Sequence, residues 1–193
     1  DFTVIRLSPG RKDNIERKQD ILSNSGVRIG GNDFDKDLSV KSVMTEFGYE
    51  SSYGDKNLLV PRSYFHDISE WSKVNFVYSP KTLREFNDML RESFAKGKLS
   101  RFINVLEHQL GHRVLDSIEN AKIELTNINE YDIDFGYIEP NFILSLKEDN
   151  LNSAIAENVD KVIVSAKECL KSAKVKAKDI ELIILTGGST EIP

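Results

Sequence analysis

The hydrophobic positions of this chain change period several times, and each change marks a different element. Phe2, Val4 and Ile5 alternate imperfectly with Thr3 and Arg6, which predicts a strand over 2–7 ended by the turn residues Ser8-Pro9-Gly10. Ile15–Ser23 reads as a second, more charged strand, and Val27-Arg28-Ile29 as a short apolar piece closed by Gly30-Gly31. From Asn32 the spacing becomes helical. Asn32 or Asp33 supplies a cap, and Phe34, Leu38, Val40, Met44 and Phe47 form a stripe up to Gly48. Residues 49–62 read as a loop. Two helices follow over 63–73 and 80–96, the second opened by Pro80, with Val74–Tyr78 extended between them. Phe102, Leu106, Leu110, Val114, Ile118, Ala121 and Leu125 recur at three or four residues and predict one helix over 100–125. Glu130–Phe135 and Phe142–Leu146 alternate as a small hairpin, and Leu151, Ile155, Val159, Val162, Ala166, Leu170 and Ala173 mark a long helix over 148–173. Ile180–Leu185 is a continuous apolar run that breaks at Gly187-Gly188.

A run such as Leu182-Ile183-Ile184-Leu185 suits a central strand covered on both faces. The first and last segments are therefore expected to share one sheet, joining 1–29 with 156–193. Residues 30–155 are then inserted as a smaller α+β subdomain, and the class is α/β.

Composition narrows the function. With 39% hydrophobic and 30% charged residues the chain is built to fold. Its net charge of −5 leaves no Lys/Arg excess for a dominant nucleic-acid role. Cys169 is the only cysteine, which excludes an intrachain disulfide and points to a reducing, cytoplasmic compartment. No apolar run reaches the roughly 18 residues of a membrane span, and no basic segment leads into an apolar core as in a signal peptide. The chain starts at Asp1 inside a strand pattern and stops at Pro193, where a helix would begin, so it reads as a piece of a longer protein.

Three segments carry chemistry. At Leu185–Thr190 a strand turns on Gly187-Gly188 into a helix start that Ser189 or Thr190 caps and whose first turn Pro193 suits. Such a turn lets backbone approach a ligand and aims free N–H groups at it, although a glycine pair alone is an ordinary strand-to-helix turn. Gly30-Gly31 repeats the arrangement before a second helix. On a helix, Glu119, Lys122, Ile123 and Thr126 fall along one face and offer an acceptor, a cation, an apolar surface and a hydroxyl together. That set suits a ribose-and-base edge; a solvated face is the plainer reading of it. His108 and His112 are four apart, but Gln109 follows the first where a zinc protease has Glu, and no third ligand is evident. Trp71, Tyr64, Phe65, Phe76 and Tyr78 read as core, and the lysines of 171–178 as a solvated helix end.

Taken together the motifs resemble one family. Gly30-Gly31-Asn32-Asp33-Phe34-Asp35 is similar to the Gly-Gly-x-Asp-Phe-Asp signature of the seventy-kilodalton heat-shock chaperones, the DnaK-like proteins. Glu119-Asn120-Ala121-Lys122 through Thr126 resembles their Glu-x-Ala-Lys-x-x-Leu-Ser segment, and Leu185-Thr186-Gly187-Gly188-Ser189-Thr190-Glu191-Ile192-Pro193 their adenosine motif. Asp1-Phe2-Thr3-Val4-Ile5 resembles the end of their phosphate hairpin. The stretch 49–105 departs from mainstream members, and Pro61–Asp67 and Glu107–His112 are closer to the YegD-like branch.

The resemblance implies the second lobe of an actin-like ATPase domain that binds ATP or ADP with Mg2+. It implies Gly30 and Gly31 near the nucleotide and Glu119 and Lys122 on ribose or phosphate. Thr126 would lie at the adenine edge, Gly187, Gly188 and Ser189 along the adenosine, and Asp1 would organise magnesium through water. Family members hold adenine between two arginines, whose places here are taken by Ile123 and Glu191, so the cation–π contacts are lost. Implied partners are the first lobe of the same domain, unfolded clients and co-chaperones. Because the first phosphate loop and catalytic lysine lie in that other lobe, the chain alone is expected not to hydrolyse ATP. Two alternatives stand beside this reading: a degenerate actin-like interaction module with little nucleotide affinity, and another actin-superfamily member, against which the Gly-Gly-x-Asp-Phe-Asp match speaks.

Overall fold

Two antiparallel strands open the chain. β1 (Phe2–Ile5) and β2 (Ile21–Ser25) pair Phe2 with Ser25 and Val4 with Ser23, and a bulge after Val4 brings Ile5 opposite Ile21. The computed structural model describes residues 1–11, 13 and 15–192; Pro193, expected in a first helical turn, lies outside them. Chain contacts divide it into two units, Asp1–Gly30 with Ala156–Glu191, and Gly31–Ile155.

In the first unit β1 and β2 lie on the C-terminal half of α6 (Glu148–Ala173). Polar contacts at the short side chains of that helix fasten them. Ser23 Oγ donates to the Cys169 carbonyl at 2.7 Å, Ser25 and Ser165 hydroxyls meet at 3.2 Å, and the Cys169 thiol reaches the Phe2 carbonyl at 3.4 Å. Two expectations fail here. The second strand is confined to Ile21–Ser25: Ile15 is fully exposed, and the chain instead makes a 3-10 turn, Lys18–Asp20, in which Arg11 and Arg17 both close on the buried Asp20 carboxylate. Val27–Ile29 forms a turn, with Ile29 N–H on the Val27 carbonyl.

The apolar run Ile180–Leu185 is not a strand either. Leu182, Ile183, Ile184 and Leu185 are 67–75% exposed, and among the described residues β1 and β2 form a sheet of two strands only. A strand patterned for burial on both faces needs a sheet neighbour, and the described residues provide none. Among the described residues the first and last segments therefore do not share a sheet.

The larger unit starts with α1 (Gly31–Leu38), which runs on as a wide turn over Ser39–Val43 and a tight 3-10 turn over Met44–Phe47. Leu38 and Val40 point to opposite sides of a regular helix, yet both are buried, as a helical run covered on several sides requires. Gly48, at φ +101°, ends it. The expected loop that follows contains a small hairpin, β3 (Ser52–Tyr53) with β4 (Leu58–Leu59). α2 (Arg62–Ile68) leads into a 3-10 turn at Val74–Val77, where an extended piece was expected, and Phe76 on that turn is 78% exposed rather than core. α3 (Pro80–Glu92) starts as its sequence predicts, with Ser79 Oγ accepting from Thr82 N–H at 3.0 Å.

The long helix of 100–125 is two helices, α4 (Lys96–Glu107) and α5 (Gly111–Leu125). Gln109 takes a left-handed φ of +52°, and the Gly111 N–H turns to the Tyr78 hydroxyl at 2.8 Å. Antiparallel β5 (Glu130–Asp134) and β6 (Ile143–Lys147) follow, with Ile133 opposite Leu144. The core of this unit is aromatic. Phe102 lies 4.7 Å from Phe65 and 4.5 Å from Phe86, and Phe47 packs edge-on to Phe135 and Phe142 at 5.6 and 5.9 Å.

Candidate functional site

The two motifs that fall in the larger unit meet. α1 carries Asp35 of the Gly-Gly-x-Asp-Phe-Asp segment, and α5 carries Lys122 of the Glu-x-Ala-Lys segment. The Lys122 ammonium lies 2.7 Å from Asp35 Oδ1, with both side chains nearly buried. Asp35 sits between Phe34 and Leu38 on the apolar side of α1, which is why it is buried. Beyond that ammonium, neither carboxylate oxygen meets a hydrogen-bond donor among the described residues. Desolvation pushes the Asp35 carboxyl above the ordinary carboxylate range, Lys122 pulls it back, and the Glu119 charge adds a smaller upward push.

The other predicted residues of α5 differ from Lys122 in exposure. Glu119 is half-buried one turn before Lys122, and Ile123 is 49% exposed beside it. Thr126 caps the helix, its hydroxyl donating to the Ile123 carbonyl at 2.6 Å. Gly30 is exposed just before α1, and Gly31 is the first residue of that helix.

In the other unit Gly187 adopts φ +94°, a left-handed conformation that favours glycine. Gly188, Ser189, Thr190 and Glu191 then make an exposed 3-10 turn, in which Thr190 N–H and Oγ both bond the Gly187 carbonyl, at 3.1 and 2.7 Å. Thr190 is thus the residue that closes this turn, and Ser189 is not. Asp1 is exposed, with its carboxylate lying over Gly26, where any side chain would collide with it.

Two further features stand apart. His108 ends α4, where its Nδ1 lies 3.1 Å from the Asn104 carbonyl, whereas His112 belongs to α5 and stacks near Trp71 at 5.6 Å. The helix break separates them. Among the described residues no group of three or more His, Cys, Asp or Glu side chains could hold a metal. A cavity of about 330 Å3, lined by Tyr53, Pro61, Glu85, Asp88, Met89 and Glu92, includes none of the predicted site residues.

Asp35 was absent from the residues that sequence reasoning assigned to the site. A signal for it existed: a carboxylate on the apolar stripe of a helix has to find a cation or a donor.

The profile of the Hsp70 protein family matches residues 84–193, more than half of the chain. The chain belongs to the Hsp70 family. It is 37% identical over 93 residues to chaperone protein DnaK of Picrophilus torridus and 30% identical over 93 residues to chaperone protein dnaK of Cyanidium caldarium, and each match spans 45% of this chain. Chaperone protein HscA of Pectobacterium atrosepticum is 29% identical over 87 residues. These matches span only 14–15% of the length of those relatives. The nucleotide-binding domain of the Hsp70 family is an actin-like ATPase fold, and the mixture of helices with small antiparallel sheets agrees with that coarse class. No described helix is long and apolar enough to cross a membrane.

Proposed function

We propose that this Hsp70-family chain is an adenine-nucleotide-binding part of a DnaK-like chaperone ATPase. The observation that carries the reading is the ion pair between Lys122 and Asp35. It joins two family motifs that lie far apart in sequence, and its lysine shares α5 with Glu119 and Ile123, with Thr126 at the C-cap. This donor set suits a nucleotide. A lysine has three N–H donors, one of which Asp35 takes, so the others serve ribose or phosphate oxygens. Glu119 accepts from a sugar hydroxyl, and the exposed face of Ile123 packs on a base.

Gly30, Gly31, Gly187, Gly188 and Ser189 contribute backbone N–H groups and close approach, and Glu191 takes the place of a stacking arginine. Asp1 offers a single carboxylate, which suits a Mg2+ ion that keeps most of its waters. In this reading residues 1–29 with 156–193, and 30–155, are two subdomains of one lobe, of the YegD-like branch. The completing lobe, unfolded clients and co-chaperones are the native protein's partners. When bound, the nucleotide supplies the phosphoryl group, and this chain's residues bind and orient it without hydrolysing it on their own.

Calorimetry with ADP, ATP and Mg2+ on the native protein that contains this chain tests the assignment. Binding tighter than millimolar, weakened tenfold or more in Lys122→Ala, is expected. Ile123 and Glu191, which replace stacking arginines, favour a second reading as an interaction module with little nucleotide affinity. Absence of binding heat at millimolar nucleotide establishes that one instead.

A further inference from the structure

We infer that Asp35 is a positioning residue for Lys122, fixing the ammonium where a nucleotide oxygen meets it. The inference rests on the nucleotide reading above and names the group that makes Lys122 competent in it. Lys122 is rooted on α5 and is only 9% exposed, so its ammonium has left bulk water, and a charge taken out of water calls for an opposite charge beside it. Asp35 Oδ1, at 2.7 Å, is the counter-charge that the described residues supply, and it comes from the helix opened by Gly31. Glu119 lies on the same side but is half-buried, and its influence reaches Asp35 as a repulsion.

The Asp35 carboxylate is itself 1% exposed, and beyond Lys122 no described donor reaches it. Lys122 is therefore its one strong partner among the described residues, and a buried carboxylate with a single partner holds that partner in one place. A surface lysine swings through many rotamers before it meets a phosphate or a ribose hydroxyl. This one is already placed, so less ordering entropy is lost when a ligand arrives.

The test uses the native protein with 15N-labelled lysine side chains, ADP as probe, and the variant Asp35→Asn. Expected are a slowly exchanging Lys122 ammonium resonance that moves when ADP is added, its loss in Asp35→Asn, and at least a tenfold weaker ADP affinity in that variant. The resonance is read in the unsubstituted protein, so the test survives if the variant does not fold. A Lys122 signal that exchanges freely, or that ADP leaves unmoved, overturns the inference. So does a folded Asp35→Asn protein whose ADP affinity stays within twofold. If the unsubstituted protein binds no ADP, the nucleotide reading falls and this inference falls with it. If it binds ADP equally well in both forms, only the role of Asp35 is lost.

Discussion

Glu70 gathers three donors: Lys36 Nζ at 2.7 Å, Lys73 Nζ at 3.1 Å and the Ser72 hydroxyl at 3.0 Å. The Lys36 contact dominates and holds the carboxyl at about 2, against some opposing desolvation. A carboxyl whose folded pKa is depressed contributes stability above its unfolded pKa and loses it as pH falls through the folded value. The window for Glu70 therefore runs from about 4.5 down to about 2. The pairs are partly solvated, so the contribution is on the order of 1 kcal/mol. Urea denaturation should find Glu70→Gln less stable by that amount at neutral pH, with the gap narrowing as pH drops below about 4.5. At the proposed nucleotide site stacking groups can be introduced. Ile123 is 49% exposed, so Ile123→Arg is tolerated sterically. With Glu191→Arg it should strengthen ADP binding by roughly 0.5–2 kcal/mol per arginine, read by calorimetry. Unchanged affinity would place adenine elsewhere.

Among the elements, the junction of α4 and α5 is where packing overrules periodicity. Leu106, Leu110 and Val114 keep helical spacing straight through the break, so the apolar stripe gives no warning of it. The chain turns at Gln109, and Gly111 fits the junction because its missing Cβ leaves room for the Tyr78 hydroxyl, Val74 and Ile68. Gly111→Ala should cost about 1–3 kcal/mol by overpacking this contact, visible as a lower melting temperature. The left-handed residue two positions earlier gives the opposite sign. Gln109→Gly should stabilise by several tenths of a kcal/mol or more, since glycine adopts φ +52° without steric penalty. The same contrast explains what was legible in the sequence. α6 and the pair β5–β6 could be read because each carries one clean period and ends on its own local signal. The 3-10 turn at Val74–Val77 could not, because its apolar residues are sorted by neighbours: Val74 and Val77 go inward while Phe76 is left outside. At the proposed site, offsets of three and four grouped Glu119, Lys122, Ile123 and Thr126, but the partner of Lys122 lies on another helix, and no spacing within α5 points to it.

At the scale of the whole chain, stability is unevenly spread. The larger unit closes around Phe47, Phe65, Phe86, Phe102 and Phe135, all fully buried, with helices satisfying their own backbone groups. Residues 181–186 have neither protection: four of their side chains are 67–75% exposed, and their amides find no hydrogen-bond acceptor among the described residues. Hydrogen exchange should therefore label 181–186 first and the cores of α4 and α5 last, because local opening is cheapest where buried contacts and paired amides are fewest. The exposed apolar run should also drive association, since a contiguous patch of this kind is an aggregation liability. Ile183→Lys combined with Leu185→Lys removes half of that patch without touching a buried contact. Surface substitutions of this sort stay within about 0.5 kcal/mol, so the melting temperature should hold within a degree or two while light scattering at high protein concentration falls. A drop of five degrees or more would mean instead that these side chains are packed in solution, and the run Leu182–Leu185 would have to be redrawn as part of the core.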